Sequence, residues 1–368
     1  MLSGIKVLEL AGLGPVTMCG LLLKDYGASV SRILNPNAPF VDHLLSPGKP
    51  VVALDLKNSS DRRTLLDLCK SADVLLDPYR PMCLDRLGFP PEVLHKANKR
   101  LILTRISGYG QPQENEEIDY YLRPGHDINY LAESGLLWLF TGETSGRPVP
   151  PANIIADIAG GAFPAAIGIL LALYEREKTG VGKIVDVGIA DGVSYMSTYF
   201  LASCQVSDQK ASNTPFSLMH WSTLAHQCSS FVDGGAPFYR TYETKDKKYV
   251  AVGALEPQFY ANLLKALGLT ERYAPQLDRA AWPRIAAILA GIFASETRHY
   301  WCQETDLVRC ACLSPVYSPA EAIERRPRHL YRHLNFSLSP LVGATRDEGA
   351  FTIRIPRPCP LLSNFPTD

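Results

Sequence analysis

The chain has 368 residues and a mass of 40.5 kDa, enough for one large domain or two moderate ones with a buried core. Charged residues make up 20% and hydrophobic residues 46%, a balance that excludes a mostly disordered or fibrous protein. Because 37 basic residues cancel 37 acidic ones, the charge favours a small ligand over a nucleic acid or an anionic membrane as the main partner.

The nine cysteines are odd in number and irregularly spaced, and the chain opens without a signal-peptide pattern. We therefore expect a reducing compartment, with the cytoplasm as the prediction and the peroxisome or mitochondrion as alternatives. Cys310 and Cys312 form the only close pair, which favours core packing, and no metal site is predicted. The apolar run 158–174 contains Gly160, Gly161 and Pro164, so it predicts a buried helix and no membrane span.

The first two hundred residues alternate between strand-like and helix-like hydrophobic periods. Strands are predicted at 5–10, 28–34, 51–56, 73–77, 101–106 and 183–187, and helices at 15–26, 59–71, 91–97 and 190–201. Such alternation is typical of parallel strands with crossover helices, so residues 1–202 are predicted to form a doubly wound, Rossmann-like α/β domain.

A polar stretch, 203–228, is predicted to be a linker to a smaller α+β domain at 229–324. This domain is expected to open with two strands within 237–254, followed by helices at 258–267 and 282–294. The tail, 325–368, contains a predicted strand at 351–355 and is expected to complete the large domain.

Gly12 and Gly14 lie between the first strand and the first helix, where a dinucleotide-binding fingerprint would lie. The third glycine position is occupied by Thr17, and the second strand ends at Leu34-Asn35 without the acid that binds a ribose. The pattern therefore favours a tight strand-to-helix turn over a nicotinamide site.

Three further segments contain residues suited to acid–base chemistry. His126 and Asp127 follow a loop at the carboxyl end of a predicted parallel strand, where open α/β sheets bind ligands, although for the pair alone a helix cap is the favoured interpretation. Asp157 precedes Gly160-Gly161 at the start of the apolar helix, where it could be a base or a cap. Glu256 precedes Pro257 and is a cap unless another domain or subunit supplies a neighbour.

Together these residues resemble the α-methylacyl-CoA racemases of the class III CoA-transferase superfamily. Four segments carry the resemblance in the family's order: residues 125–130 (GHDINY), 157–161 (DIAGG), 233–239 (DGGAPFY) and 252–260 (VGALEPQFY). Weaker matches at 54–57, 72–77, 86–88 and 105–108 extend it over nearly the whole chain.

The resemblance implies an interlocked homodimer whose active site lies between the large domain of one subunit and the small domain of the other. His126 and Asp157 would be the two bases on opposite faces of the substrate's α-carbon, and Glu256 of the partner subunit would orient His126. The backbone N–H of Asp127 would bind the enolate oxygen while its side chain fixes the loop. The substrate would be an acyl-CoA thioester of lipid metabolism, with no cofactor besides the CoA that it carries.

The chemistry explains why these residue types are needed. Inversion next to a thioester carbonyl removes a proton from one face and returns one to the other, so two groups in opposite protonation states are required. Because the acid must at times be protonated near neutral pH, we expect Asp157 to have a raised pKa and to lie in an apolar pocket when substrate is bound.

The phosphates and adenine of CoA call for local basic residues. The resemblance assigns Lys57, Arg80 and Arg86 to the CoA groove and places Arg105 and Tyr130 closer to the thioester. It also adds Leu54 and Asp77 to the CoA-binding set.

Several positions depart from the family pattern, including Asn35, which replaces an arginine that packs on the adenine, and the acidic patch at 114–117. Two alternative functions therefore remain. The chain could be a CoA-transferase in which Asp157 attacks an acyl-CoA to form a mixed anhydride, or an inactive relative that binds CoA thioesters.

Overall fold

The computed structural model describes residues 1–38, 45–114, 116–140, 147–202, 231–303, 305–325, 331–336, 351–360 and 362. These residues form two compact units. The first unit comprises Met1–Leu137, Pro150–Ser197 and Pro327–Asp368, and the second comprises Trp138–Val149 and Thr198–Arg326. Residues 138–149, which the sequence analysis assigned to the large domain, thus group with the second unit. The predicted linker 203–228 lies outside the described residues.

The first unit contains the predicted doubly wound sheet. Its six strands are β1 (Lys6–Leu10), β2 (Ser29–Leu34), β3 (Val51–Ala53), β4 (Val74–Asp77), β5 (Ile102–Ser107) and β6 (Ile184–Gly188). They lie in the order β3-β2-β1-β4-β5-β6, and every neighbouring pair is parallel. The strand order reverses between β1 and β4, so the loops after these two strands border the crevice where such sheets bind ligands.

Helices connect the strands and cover both faces of this sheet. They are α1 (Gly14–Asp25), α2 (Ser59–Cys69), α3 (Cys83–Arg86), α4 (Pro91–Ala97), α5 (Ile118–Leu122), α6 (Asp127–Glu133), α7 (Phe163–Thr179) and α8 (Ile189–Met196). A 3₁₀ turn, Leu136–Leu139, follows α6, and a π-helical segment, Ile155–Ala162, leads into α7. Helix α1 begins at Gly14 with Pro15 in its first turn, as the tight-turn interpretation of residues 12–14 predicts.

The first half of α1 lies over a buried group of charges. Glu9 on β1 lies beside Arg32 on β2, and the Lys49 ammonium is 2.6 Å from the Glu9 carboxylate. All three side chains are almost completely buried. Lys49 also donates to the carbonyl of Thr17 in α1, so the ionic group fixes this helix to the sheet. A Cβ atom at Gly20 would overlap the Glu9 carboxylate, which explains why a glycine occupies this turn of α1.

The apolar helix differs from its prediction as a buried element. One face of α7 is buried through Ala165, Ile169 and Ala172, but its other face exposes five large side chains, Phe163, Ile167, Leu170, Leu171 and Tyr174. Within the described residues, Ile155–Thr179 is also the one helix long and apolar enough to cross a membrane by length and composition. Core helices of soluble proteins pass the same test, so this is weak evidence for a span.

The second unit has its own sheet and core. Its strands are β7 (Tyr239–Glu243), β8 (Tyr249–Gly253) and β9 (Leu313–Val316), which pair antiparallel in that order. Its helices are α9 (Pro257–Ala266), α10 (Trp282–Phe293), α11 (Arg298–Gln303), α12 (Thr305–Cys310) and α13 (Pro319–Arg325), with a 3₁₀ turn at Arg279–Ala281 before α10. Phe238, Tyr260, Trp282 and Phe293 fill the core between sheet and helices.

The tail belongs to the first unit. It forms an antiparallel pair, β10 (Tyr331–Phe336) and β11 (Phe351–Pro356). Arg332 forms a bidentate ion pair with Asp25 at the end of α1, and the Tyr26 hydroxyl donates to the carbonyl of Pro360.

Candidate active site

Asp157 lies in the π-helical segment at the start of α7. A π-helix is wider than an α-helix and occurs mostly as a single turn, frequently at functional sites. This turn packs against α8 with no room for a side chain at Gly192, because a Cβ atom there would overlap the carbonyl oxygen of Gly160. The close approach that the Gly160-Gly161 pair predicts is therefore made by another stretch of backbone.

His126 is the residue that caps the N-terminus of α6. Its backbone is extended, its N–H donates to Oδ1 of Asn129, and its carbonyl accepts from the N–H of Asn129. The His126 side chain is exposed. The cap geometry thus fixes the backbone and leaves the imidazole at the surface of the unit.

The carboxylate of Asp127 joins the two candidate catalytic segments. Asp127 is buried, and one of its oxygens accepts hydrogen bonds from the backbone N–H groups of Ala156, at 2.8 Å, and Asp157, at 2.9 Å. These N–H groups lie at the start of a helical segment, where the backbone supplies no acceptor for them. The side chain of Asp127 therefore fixes the start of the π-helical turn relative to α6.

The Asp157 carboxyl lies in a site that favours its neutral form. Its pKa is raised from 3.8 to about 6, mainly by burial and, to a smaller extent, by the negative charge of Asp127. The charge of His126 and a hydrogen bond from Asn153 act in the opposite direction. His126 and Asp157 are thus close enough to interact electrostatically, and the predicted rise in the pKa of Asp157 is present.

Helix α1 also borders this site. A Cβ atom at Gly14, the first residue of α1, would lie 3.8 Å from Oδ2 of Asp157. The preceding turn packs tightly as well, since a Cβ at Gly12 would lie 2.5 Å from Pro78 in the loop after β4. The site therefore lies at the reversal of strand order, where the loops after β1 and β4 meet.

Tyr130 and Arg80 lie beside the two candidate bases. The Tyr130 hydroxyl donates to the carbonyl of Gly125 at 2.6 Å, and its ring is buried. Burial, together with the nearby charge of Asp157, raises the pKa of Tyr130 to about 12, while the charge of Arg80 acts against the rise. Arg80 is exposed and donates to the carbonyl of Leu122.

Other residues predicted to bind CoA follow neighbouring strands. Lys57 is exposed in the loop after β3, and Leu54 is buried at the base of that loop. Asn37, in the loop after β2, donates to Asp55, so these two loops meet. Arg86 is exposed at the end of α3.

Arg105 and Asp77 lie apart from this group. Arg105 is in register with Asp77 on β4 and Asp186 on β6, so the three side chains leave the same face of the sheet. Arg105 forms a bidentate ion pair with Asp186, with N–O distances of 2.5 and 2.6 Å. Ile106, the next residue on β5, belongs with Tyr130 to the core cluster on the other face of the sheet. Arg105 and Tyr130 therefore lie toward different faces, and the position of Arg105 near the thioester stays a prediction.

Asp77 is buried at the end of β4. Burial raises its pKa from 3.8 to about 7, although a hydrogen bond from the Tyr79 N–H and the charge of Arg105 both oppose this rise. Its side chain thus stabilises the start of the loop that carries Arg80.

Glu256 lies in the second unit, where it caps the N-terminus of α9 and its side chain is exposed. The pKa of the nearby Cys312 thiol is raised mainly by burial, and the negative charge of Glu256 adds to the rise. Cys310 and Cys312 are both exposed, so the prediction that they pack in the core is wrong.

Sequence reasoning assigned no role to Asn153, whose side chain donates to Asp157. The signal available was its place four residues before Asp157, a spacing that brings two side chains together on a helix. This signal is weak, because residues 151–154 precede the helical segment.

The architecture and the site together define the class of protein. A family model described as CoA-transferase family III matches residues 2–335. The chain belongs to CoA-transferase family III.

Three curated relatives are similar over 99% or more of the chain. An α-methylacyl-CoA racemase of Mus musculus is 39% identical over 367 residues, covering 100% of this chain and 87% of the relative. An α-methylacyl-CoA racemase of Homo sapiens is 37% identical, covering 99% and 87%. The β subunit of a succinyl-CoA–L-malate CoA-transferase of Chloroflexus aurantiacus is 27% identical, covering 99% and 88%.

Solved structures support the fold. A hypothetical protein of Mycobacterium tuberculosis aligns with a TM-score of 0.73 at 22% identity, covering 98% of this chain and 92% of that one. A CaiB/BaiF family protein of Brucella suis aligns with a TM-score of 0.71 at 23% identity, covering 90% and 88%.

Proposed function

We propose that this protein is an α-methylacyl-CoA racemase, which inverts the α-carbon of a 2-methylacyl-CoA thioester. The observation that carries the proposal is the proximity of His126 to Asp157, a carboxyl with a pKa of about 6. A carboxyl whose pKa is raised to about 6 can both hold and release a proton near neutral pH, as a group that acts as acid in one direction and base in the other must. The names of the mouse and human relatives support the same substrate class.

In one direction, the neutral imidazole of His126 takes the α-proton and leaves its electron pair on the enolate of the thioester. Protonated Asp157 then gives its proton to the opposite face of the same carbon. In the reverse direction, the Asp157 carboxylate takes the proton and the His126 imidazolium returns one. No net proton is consumed. After one turnover His126 is protonated and Asp157 is ionised, which is the state that the reverse reaction requires.

The enolate oxygen needs a donor that is already in place. We assign this role to the backbone N–H of Asp127, because it lies in the first turn of α6, where the helix has no acceptor for it. The hydrogen bonds from Ala156 and Asp157 hold the Asp127 side chain, so this donor has a fixed position.

The CoA part of the substrate carries phosphates, for which exposed cations are suitable partners. Lys57, Arg80 and Arg86 are exposed in loops or helix ends that follow β3 and β4. We assign them to CoA, whereas Arg105 is neutralised by Asp186 and receives no such role. The reaction as written requires no cofactor besides the CoA of the substrate.

We also infer a homodimer, in which Glu256 of the partner subunit accepts a hydrogen bond from His126 and orients it. The exposed apolar face of α7 supports a second copy, since five large apolar side chains on one helix favour an interface. The cytoplasm is the proposed location.

The test is proton NMR of a single-enantiomer 2-methylacyl-CoA in heavy water, with a free carboxylic acid present as an acceptor. We expect the α-proton signal to disappear and the other epimer to form. His126→Ala and Asp157→Ala should each abolish epimerisation, while the matched variants His95→Ala and Asp67→Ala, which change exposed residues of the same types, should retain it.

Two other results would overturn the proposal. Transfer of CoA to the free acid without α-exchange would make the protein a transferase with Asp157 as nucleophile. Binding of CoA with neither reaction would make it an inactive relative.

A further inference from the structure

A cluster of four side chains encloses the segment that leads to His126. The guanidinium of Arg123 lies over the rings of Tyr109 and Tyr120, 4.5 and 4.3 Å from their centroids. The Glu133 carboxylate accepts from Arg123 at 2.9 Å and from the hydroxyls of Tyr109 and Tyr120 at 3.2 and 3.4 Å. We call these four residues the Arg123 clamp.

The clamp joins the chain before His126 to the chain after it. Tyr120 and Arg123 precede His126, whereas Glu133 is the last residue of the helix that His126 caps. The Arg123 side chain also donates to the carbonyl of Tyr120, so α5 and the residues after it are held as one piece. His126 thus lies between two points of the chain, Arg123 and the end of α6, that are fixed to each other.

The clamp reaches the residue next to His126 through its aromatic rings. A Cβ atom at Gly125 would lie 2.7 Å from the Tyr130 ring and 3.0 Å from the Tyr109 hydroxyl. Tyr109 and Tyr130 pack edge to face, with centroids 5.2 Å apart. Displacing Tyr109 would therefore move the backbone that enters His126.

We propose that Arg123 and Glu133 are positioning residues, which hold the imidazole of His126 in line with the substrate's α-carbon. An exposed ion pair alone contributes little. Here, however, one carboxylate receives three donors and the cation lies against two rings, so loss of Glu133 releases several contacts together. The expected effect of these two residues on the rate rests on the proposed function. Their expected effect on the position of the His126 imidazole rests on the geometry alone.

The test compares full-length Glu133→Gln and Arg123→Met with the unsubstituted protein. We expect kcat for epimerisation to fall about tenfold with KM changed less than about twofold, because a small displacement of a catalytic group is costly. Arg123→Lys keeps the cation but loses the planar group that lies over the two rings, so its kcat should lie between those of Arg123→Met and the unsubstituted protein. Glu175→Gln, which breaks the similarly exposed pair with Lys183 on the same unit, is the matched control and should keep the full rate.

A second readout does not depend on turnover. In protein labelled with ¹⁵N-histidine, the His126 resonances are identified by their loss in His126→Ala. We expect them to shift in Glu133→Gln and to stay in place in Glu175→Gln. Unchanged His126 resonances and kcat in Glu133→Gln would overturn the proposal. A protein that never epimerises, but whose His126 signals still move in Glu133→Gln, would overturn the proposed function and leave the positioning role supported.

Discussion

The carboxylate of Asp127 accepts a hydrogen bond from the backbone N–H of Asp157, the residue whose own carboxyl pKa it helps to raise. One side chain therefore both places the candidate acid and adjusts its affinity for a proton. Asparagine at this position would keep an acceptor oxygen with two lone pairs and remove the charge, so the two effects can be separated.

Asp127→Asn is expected to lower the pKa of Asp157, because the negative charge that raises it is lost. For the enantiomer whose α-proton faces the Asp157 carboxylate, kcat/KM falls as the pH drops below this pKa. The fall should move to lower pH by about half a unit. For the opposite enantiomer Asp157 must be protonated, so the loss of rate at high pH should also begin earlier.

Profiles of kcat/KM against pH for both enantiomers measure these shifts. Asp67→Asn removes a carboxylate from an exposed site on α2 and should leave both profiles unchanged. In each profile, one change of rate with pH reports the pKa of Asp157. If this change falls at the same pH in Asp127→Asn and in the unsubstituted protein, the charge of Asp127 has no influence on the pKa of Asp157.

Asp77 predicts a pH dependence of stability. Burial raises its folded pKa to about 7, above the unfolded value, so the folded state gains a proton relative to the unfolded state between these values. The resulting stability is complete below about pH 4 and is lost as the pH rises through about 7. Asp77→Asn mimics the neutral form, so its free energy of unfolding should exceed that of the unsubstituted protein at pH 8 by on the order of 4 kcal/mol.

Urea denaturation between pH 4 and pH 8 checks this expectation. The advantage of Asp77→Asn should shrink steadily as the pH is lowered, whereas Asp67→Asn, at an exposed site, should show no such trend. An Asp77→Asn advantage that stays constant with pH would mean that the carboxyl is ionised in the folded state throughout this range.

The parallel sheet could be predicted because its signal is local. The switch between hydrophobic periods marks β4 at 73–77, and the structure has it at Val74–Asp77. The π-helical turn at Ile155–Ala162 could not be predicted in this way. Its width depends on tertiary contacts, namely the Asp127 carboxylate and the backbone of α8, and the apolar pattern indicates only a helix.

In the candidate site, too, the residues of local motifs could be predicted, whereas contacts between distant parts of the chain could not. His126 and Asp127 lie in one short motif and Asp157 in another, the family resemblance predicts the three as a group, and the structure brings them together. The face of the sheet from which Arg105 projects could not be related to the site, because alternation along a strand shows which residues share a face and does not show which face meets the site. The ion pair with Asp186 joins residues 81 positions apart, beyond the reach of a local pattern.

Gly20→Ala should destabilise the first unit. The added Cβ would overlap the Glu9 carboxylate, which is completely buried and held by Lys49 and Arg32. We expect the free energy of unfolding to fall by about 3 kcal/mol, the upper range for overpacking. Gly291→Ala, in helix α10 with open space around its Cβ, should instead gain about 1 kcal/mol from helix propensity. Urea denaturation of both variants measures the difference, and equal effects of the two substitutions would show that Glu9 moves freely.

Gly192→Ala should impair catalysis through the position of Asp157. The new Cβ would meet the carbonyl oxygen of Gly160, and neither backbone can yield without moving the π-helical turn or α8. Because Asp157 lies three residues before Gly160 in that turn, we expect kcat for epimerisation to fall at least about tenfold. Far-ultraviolet circular dichroism checks that the variant is folded, and Gly291→Ala serves as the folded glycine-to-alanine control with unchanged kcat. A folded Gly192→Ala variant with full kcat would show that the spacing between the π-helical turn and α8 does not determine where the Asp157 carboxyl lies.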